Sequence, residues 1–464
     1  MVVPPGVAAG HPATVEMGIR TLQRGGTAAD AAVAATLAAC VSESIFTGLG
    51  GGGFATYYEA ATKRVTCLDF FCAAPGLDGD RLAGPMRPIA IKFGEVPLPY
   101  EIGGSSVAVP GVAAGCGEIH ARWGRLPWAD VVEPVAYLAR EGVTVPEAHA
   151  ATLPALLEAM VLDQGAAAYT PHGVPLGPGD RLYHPGLADT LHLIAHDGPG
   201  VLYTGQLGRM AIDAVRADGG SLGPGDLASY RVIERDVVGA PIDGCTVFGR
   251  HDLNQTLATL RALPPLTGMD TAVRAVILAK ALGPSVFDGY GETTNISVVD
   301  ADGNACVVTT TLGLGAGIWI PGAGVHLNSM LGEGELNTGE QAPGDRIASM
   351  MCPLVALDEH GDLVLAAGSA GASRIRSALL TTLIAALVDG KKVEEAVATP
   401  RLHTVTDLVH VEPDFAVAEE KALVEAGFRV NRWSQTNHYF GGVSAIGVTG
   451  ASGDPRRDGS AALL

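Results

Sequence analysis

Near the start of the chain, Val15, Gly18, Ile19 and Leu22 recur at helical spacing, and Gly25-Gly26 ends the run. The pattern predicts one helix there. Thr27 and Asp30 then form a capping-box opening to a second, alanine-rich helix reaching about Ala39. The text changes at GLGGGGF (48–54), after which ATYYEA and RVTCLDFF read as strands. Helical text returns around GRLPW within 110–142, and residues 145–235 alternate short helices with Gly and Pro punctuation. No internal repeat is visible, and no linker divides two compositions.

Beyond about residue 295 the pattern shifts to Val, Thr, Leu and Gly. Strand-turn-strand text occupies 295–311 and 353–368. A helix opens at Ser373, with Ile375, Ala378, Leu379, Leu383, Ala386 and Leu387 as its apolar stripe, and Gly390 stops it. Strands interleaved with amphipathic helices indicate a layered α/β fold.

Composition narrows the function. Of 464 residues, 47% are hydrophobic and 17% charged, which supports a large core and argues against disorder. The net charge of −19 is spread along the chain and would repel phosphate backbones, so nucleic acid is not an expected partner. Seven cysteines are scattered without a CxxC pair, which points to neither a zinc site nor a disulfide framework. Reduced thiols suit a cytoplasmic protein. The first residues lack a basic segment followed by a long apolar one, so no signal peptide is expected. The apolar stretch from Ala31 to Val41 is too short to span a bilayer.

The candidate chemistry lies in GETTNISVVDADGNACVVTTTLG, residues 291–313. Asp302-Gly303 is a hairpin-turn dipeptide between two β-branched runs. Folding about it brings Thr293 opposite position 311 to 313. Threonines facing each other across a hairpin can simply stabilise a sheet. They can also be chemical. A threonine with a free α-amine carries its own base, because that amine titrates near neutrality. An internal threonine gains such an amine only if the chain is cut before it, here between Glu292 and Thr293.

TTNISVVDADGN resembles the processing site of the γ-glutamyltranspeptidase family, autoprocessing N-terminal-nucleophile hydrolases. RGGTAADAAVAATLAACV, GLGGGGF, VAVPGVAAGCGEIHARWGRLPW, GGSLGPGDLASYRV, GSAGASRI, TPRLH and GDPRRDG are similar to further blocks of that family, in the same order. The resemblance implies a four-layer αββα sandwich, cleaved into a large subunit of residues 1–292 and a small, catalytic one of residues 293–464. It implies Thr293 as nucleophile and Thr311 as its hydrogen-bonding partner. The backbone amides of Gly371 and Ala372 would be the oxyanion donors, at a strand-to-helix turn suited to that task. It implies a small-molecule acyl donor, water or an amine as acceptor, and no metal or cofactor.

The resemblance breaks on the donor side. Phe71 stands where the family has a carboxylate-gripping arginine. Met330 and Glu333 replace a Gln and an Asp that hold the donor's amino group. A Ser-Ser pair becomes Ser349-Met350, Asn295 replaces a histidine, and Gly313 replaces an asparagine. A buried carboxylate needs a bidentate or charged partner, which Phe71 cannot supply. The expectation is therefore a more apolar donor than a standard γ-glutamyl compound, or one whose charge meets another cation such as Arg346, Arg374 or His326. Arg346 also matches a family arginine, which favours a structural role for it. Other readings are a genuine γ-glutamyl hydrolase or transferase, a C–C bond hydrolase like homologues in actinobacterial alkylproline antibiotic pathways, and a non-catalytic scaffold keeping the fold.

Two rival motifs complete the list. Ala367-x-Ser369-x-Gly371 resembles a nucleophile elbow without its first glycine, with His403, His410 and His438 as downstream bases. GLGGGG satisfies GxGxxG, but a helix precedes and a strand follows, the reverse of a dinucleotide site. It reads instead as a close-packed backbone segment near the active site.

Overall fold

A computed structural model describes residues 2–93, 96–251, 255–283, 292–334, 336, 339 and 341–464. Thirteen strands make two stacked sheets, numbered here in chain order. They are β1 (Gly6–Ala9), β2 (Gly52–Glu59), β3 (Arg64–Phe70), β4 (Ile233–Arg235), β5 (Val237–Ile242), β6 (Cys245–Arg250), β7 (Glu292–Val299) and β8 (Ala305–Gly313). β9 (Leu354–Leu357), β10 (Leu363–Ala370), β11 (Gly442–Gly447), β12 (Gly450–Ser452) and β13 (Ser460–Leu463) follow. The first sheet runs β13-β1-β7-β8-β2-β3-β4 and the second β12-β11-β10-β9-β6-β5.

Three apolar layers hold this arrangement. Ile296, Val298, Cys306 and Val308 point from the first sheet into a core shared with helices α1 (Pro12–Gln23), α2 (Ala28–Ser42), α3 (Val112–Trp123) and α4 (Trp128–Glu141). The alternate positions Val299, Ala305 and Val307 meet Val355, Leu363, Ala366 and Ile446 between the sheets. A third core joins the second sheet to α5 (Thr271–Leu282) and α6 (Arg374–Leu383). Helix, sheet, sheet and helix are the four layers that the resemblance implied. The period-two alternation of β7 and β8 lets each strand serve two cores.

The predicted elements fall where expected, with one instructive shift. Thr27 caps α2, its backbone N–H bonding Asp30 at 2.9 Å. Every residue of α2 is buried, and its alanines allow neighbours on all sides to come close. The helix after Ser373 departs from its expected stripe. It ends in a π-turn over Ile384–Val388, which inserts a residue into the helical repeat. Burial therefore passes to Ile384 and Ala385, and Ala386 and Leu387 are only half-buried. Among the described residues, no helix is long and apolar enough to cross a membrane.

Candidate active site

The hairpin closes in the register its turn implied: Thr293 pairs with Thr311, and Glu292 with Gly313. A bulge lies between Glu292 and Thr293, at the bond expected to be cut. Thr311 links the two strands there. Its oxygen accepts from the Gly313 N–H at 2.9 Å, and its own proton goes to the Glu292 carbonyl oxygen. The hydroxyl thus polarises the carbonyl of the peptide bond preceding Thr293. Gly313 has a φ of +67°, and a Cβ there would come 2.8 Å from both the Ser329 and Tyr100 hydroxyls. Glycine takes this left-handed conformation without strain and leaves room for both hydroxyls.

The residues around the bond are buried: Glu292, Thr293 and Thr311 are at most 5% exposed. Burial raises the Glu292 carboxyl above its ordinary range, against the pull of Arg457. Arg457 Nη1 lies 3.1 Å from Glu292 Oε2 and 3.2 Å from the Thr293 carbonyl oxygen. On the helix side of β7, the Thr294 hydroxyl donates to buried Glu43, as does Thr14 at 2.7 Å. Desolvation pushes Glu43 up to about 7. Sequence reasoning missed both Glu43 and Arg457. Arg457 lies inside the GDPRRDG block, and Glu43 directly follows the long apolar helix α2, where a charge is out of place.

β10 ends at Ala370, and Gly371 and Ala372 turn the chain into α6. Their φ values are +118° and +49°. Alanine in the left-handed region costs roughly 1 kcal/mol relative to glycine. The carbonyls of the two residues accept from Arg374 and Ile375 at 3.0 and 3.1 Å. Their N–H groups donate to no partner among the described residues.

These parts meet at a small cavity whose lining includes Thr293, Thr311 and Ala372. The rest of the lining is Phe71, Leu336, Met350, Met351 and Ile375, with Glu333 and Ser349 as polar members. Four predicted donor residues, Phe71, Glu333, Ser349 and Met350, thus come together beside the hairpin. Phe71 is fully buried and stacks on Phe54 with ring centroids 5.4 Å apart.

Three other predicted donor residues lie off this cavity. Met330 is fully buried, its Cε beside Gly313. Gly313 serves Thr311 instead of lining the pocket. Asn295 faces the second sheet, where its amide lies 2.7 Å from the Thr309 hydroxyl and fills the space that a Cβ on Gly368 would need. Its position two residues after Thr293 on a strand sends it to the same sheet face, deeper in the sandwich.

None of the three candidate cations lines the cavity either. Arg346 donates to the Phe71 carbonyl at 2.9 Å and stacks over Tyr230, the structural role its position favoured. Arg374 donates to the Tyr439 carbonyl at 3.1 Å. His326 stacks on Trp319 at 4.4 Å, and burial lowers it to about 3, so it is neutral.

The rival motifs resolve by position. Ser369 sits within β10 opposite Val443, and its hydroxyl donates to the Ala370 carbonyl. His403 instead bonds Ser377, and His410 bonds Asn431 and Trp433. No elbow is formed. The glycine-rich segment presses its backbone on β8: a Cβ on Gly51 would lie 2.1 Å from the Thr311 carbonyl oxygen, and one on Gly53 2.4 Å from that of Thr309.

Known proteins share this organisation. The gamma-glutamyltranspeptidase family model matches residues 14–283 and 284–464. The Acylase ACY 1 proenzyme of Pseudomonas sp. (strain SE83) is 29% identical over 95% of this chain and 89% of its own length. Glutathione hydrolase 5 proenzyme of Mus musculus is 27% identical over 98% of this chain and 92% of its own. The crystal structure of cephalosporin acylase from Bacillus halodurans superposes with a TM-score of 0.82 at 20% identity, covering 100% of this chain and 96% of that one. Matched from near its first residue to its last, the chain belongs to the gamma-glutamyltranspeptidase family, whose members are hydrolases and acyltransferases of the N-terminal-nucleophile fold.

Proposed function

We propose that this protein is an autoprocessing threonine hydrolase or acyltransferase acting on a small, largely apolar acyl donor. The observation that carries the reading is the contact of the Thr311 hydroxyl with the Glu292 carbonyl oxygen, on the peptide bond that precedes Thr293. In self-cleavage, the Thr293 hydroxyl oxygen attacks the Glu292 carbonyl carbon. The C–N bond breaks, the amine keeps the hydroxyl proton, and an ester remains. Water then hydrolyses the ester, leaving a carboxylate on Glu292 and a free amine and hydroxyl on Thr293.

The same atoms then serve the donor. The Thr293 amine takes the hydroxyl proton, the oxygen attacks the donor carbonyl, and the leaving amine collects the proton. The N–H groups of Gly371 and Ala372 are suited to hold the oxyanion. Water or an acceptor amine releases the acyl group from Thr293.

Phe71, Leu336, Met350, Met351 and Ile375 support an apolar acyl group. Glu333 in the same lining favours a second reading, a donor carrying an ammonium group, as γ-glutamyl compounds do. A panel of acyl anilides separates the two. The apolar reading predicts that butyryl or phenylacetyl anilide has a kcat/KM at least about tenfold above that of the γ-glutamyl anilide. The opposite ranking would transfer the conclusion to the second reading.

A further inference from the structure

Arg457 has no part in the chemistry above, although it is a buried cation in contact with both residues of the bond. It ends the short turn Pro455–Arg457, just before β13. Its side chain is 5% exposed and its guanidinium lies over the Phe46 ring at 4.9 Å. A single nitrogen, Nη1, touches the residues on both sides of one peptide bond: the Glu292 carboxylate and the Thr293 carbonyl. Nη1 carries two hydrogens, so both bonds can form at once. Gly442 makes the space, since a Cβ there would stand 2.4 Å from Arg457 Cδ. Behind the bond is a second, small cavity, where Arg457, Glu43, Thr293 and Thr294 meet.

We propose that Arg457 is a positioning residue for self-cleavage, clamping Glu292 and Thr293 so that the carbonyl carbon between them stays within reach of the Thr293 hydroxyl. The inference rests on Thr293 being the nucleophile. The torsions on either side of the Glu292–Thr293 bond decide whether the hydroxyl can approach the carbonyl. Pinning the acid on one side and the carbonyl on the other removes most of that freedom, and intramolecular attack is very sensitive to such restriction. Thr311 fixes the carbonyl oxygen, and Arg457 fixes what flanks it. A buried guanidinium is an expensive device for packing alone, since the space could be filled by an apolar side chain.

The test follows cleavage by intact mass after cell-free synthesis, in the parent and in Arg457→Met, Arg457→Lys, Glu292→Gln, Arg457→Met/Glu292→Gln and Thr293→Ala. Cleavage should slow about 100-fold in Arg457→Met, and lysine should recover about a tenth of the parental rate or more, because it restores the charge and one of the contacts. Glu292→Gln should slow cleavage about tenfold, and the double variant should be no slower than Arg457→Met alone. The double variant also buries no unpaired charge, so it carries the test if Arg457→Met fails to fold. Parental rates in Arg457→Met or in the double variant would overturn the clamp. Losses in the double variant equal to the product of the single losses would overturn it too. Cleavage that persists in Thr293→Ala would instead sink the nucleophile reading, whatever Arg457 does.

Discussion

Thr293, Thr311 and Ala372 are one part of the cavity lining, and Phe71, Met350, Met351 and Ile375 are most of the remainder. The first part is specified by hydrogen bonds. Gly313 orients Thr311, Thr311 reaches Glu292, Arg457 holds both residues of the bond, and Glu43 receives Thr294 from behind. The second part is specified by volume, with buried rings and thioethers that offer little direction. A hydrogen-bonded lining tolerates few replacements, because each loss strands a buried partner. An apolar lining can be repacked with modest cost. The difference teaches where this chain is free to change substrate and where it is not.

Four variants probe that contrast, in falling order of effect. Thr311→Val keeps the shape of the polar part and removes the proton on the Glu292 carbonyl. Self-cleavage should slow by about 10²–10³, the loss typical of one such donor, read as the fraction of uncut chain over time.

Glu43→Gln tests the support behind the hairpin. Burial raises Glu43 to about 7, so the folded chain binds a proton there that the unfolded chain has released. The parent should therefore lose stability as pH rises from about 4.5 through 7, by up to about 3 kcal/mol. The amide cannot ionise, so the variant should match the parent at acid pH and exceed it above pH 7. Urea midpoints across that range check this, and parallel curves would contradict it.

In the apolar part of the lining, Phe71→Arg places a cation where the resemblance implies a grip on a donor carboxylate. The ratio of γ-glutamyl to apolar anilide turnover should rise about 10- to 100-fold, with cleavage little changed. A change in cleavage as large as that caused by Thr311→Val would mean that the two parts are not separable. Ala372→Gly is the mildest change. It relieves the left-handed alanine and should stabilise the chain by about 1 kcal/mol, read as a shift in the urea midpoint.

The sequence carried much of this because hairpin geometry is local. Asp302-Gly303 and the spacing of the threonines were enough to bring Thr293 to Thr311 within a residue of the observed register. Periodicity gave a layered α/β fold and the resemblance its four layers, and the donor substitutions at Phe71, Glu333, Ser349 and Met350 line one cavity. What stayed hidden depends on contacts distant along the chain. Arg457 reaches Glu292 across 165 residues and Glu43 meets Thr294 across 251, and neither pairing leaves a trace in local spacing. Asn295 was hidden for a different reason: its strand position fixes which face it takes, but only the packing against Gly368 shows that it lies beside Thr293 in the second cavity and not in the one lined by Phe71. The π-turn after Leu383 was likewise invisible to a pattern that assumes one constant helical period.

The chemistry proposed for the cavity depends on the chain opening before Thr293 and on Thr293 making the cut. The direct measurement is the intact mass of the purified protein, with N-terminal sequencing of any fragment, beside Thr293→Ala. Two polypeptides are expected, residues 1–292 and 293–464, the second beginning with Thr293, and a single uncut chain for the variant. An uncut parent, or cleavage that persists in Thr293→Ala, would contradict that chemistry.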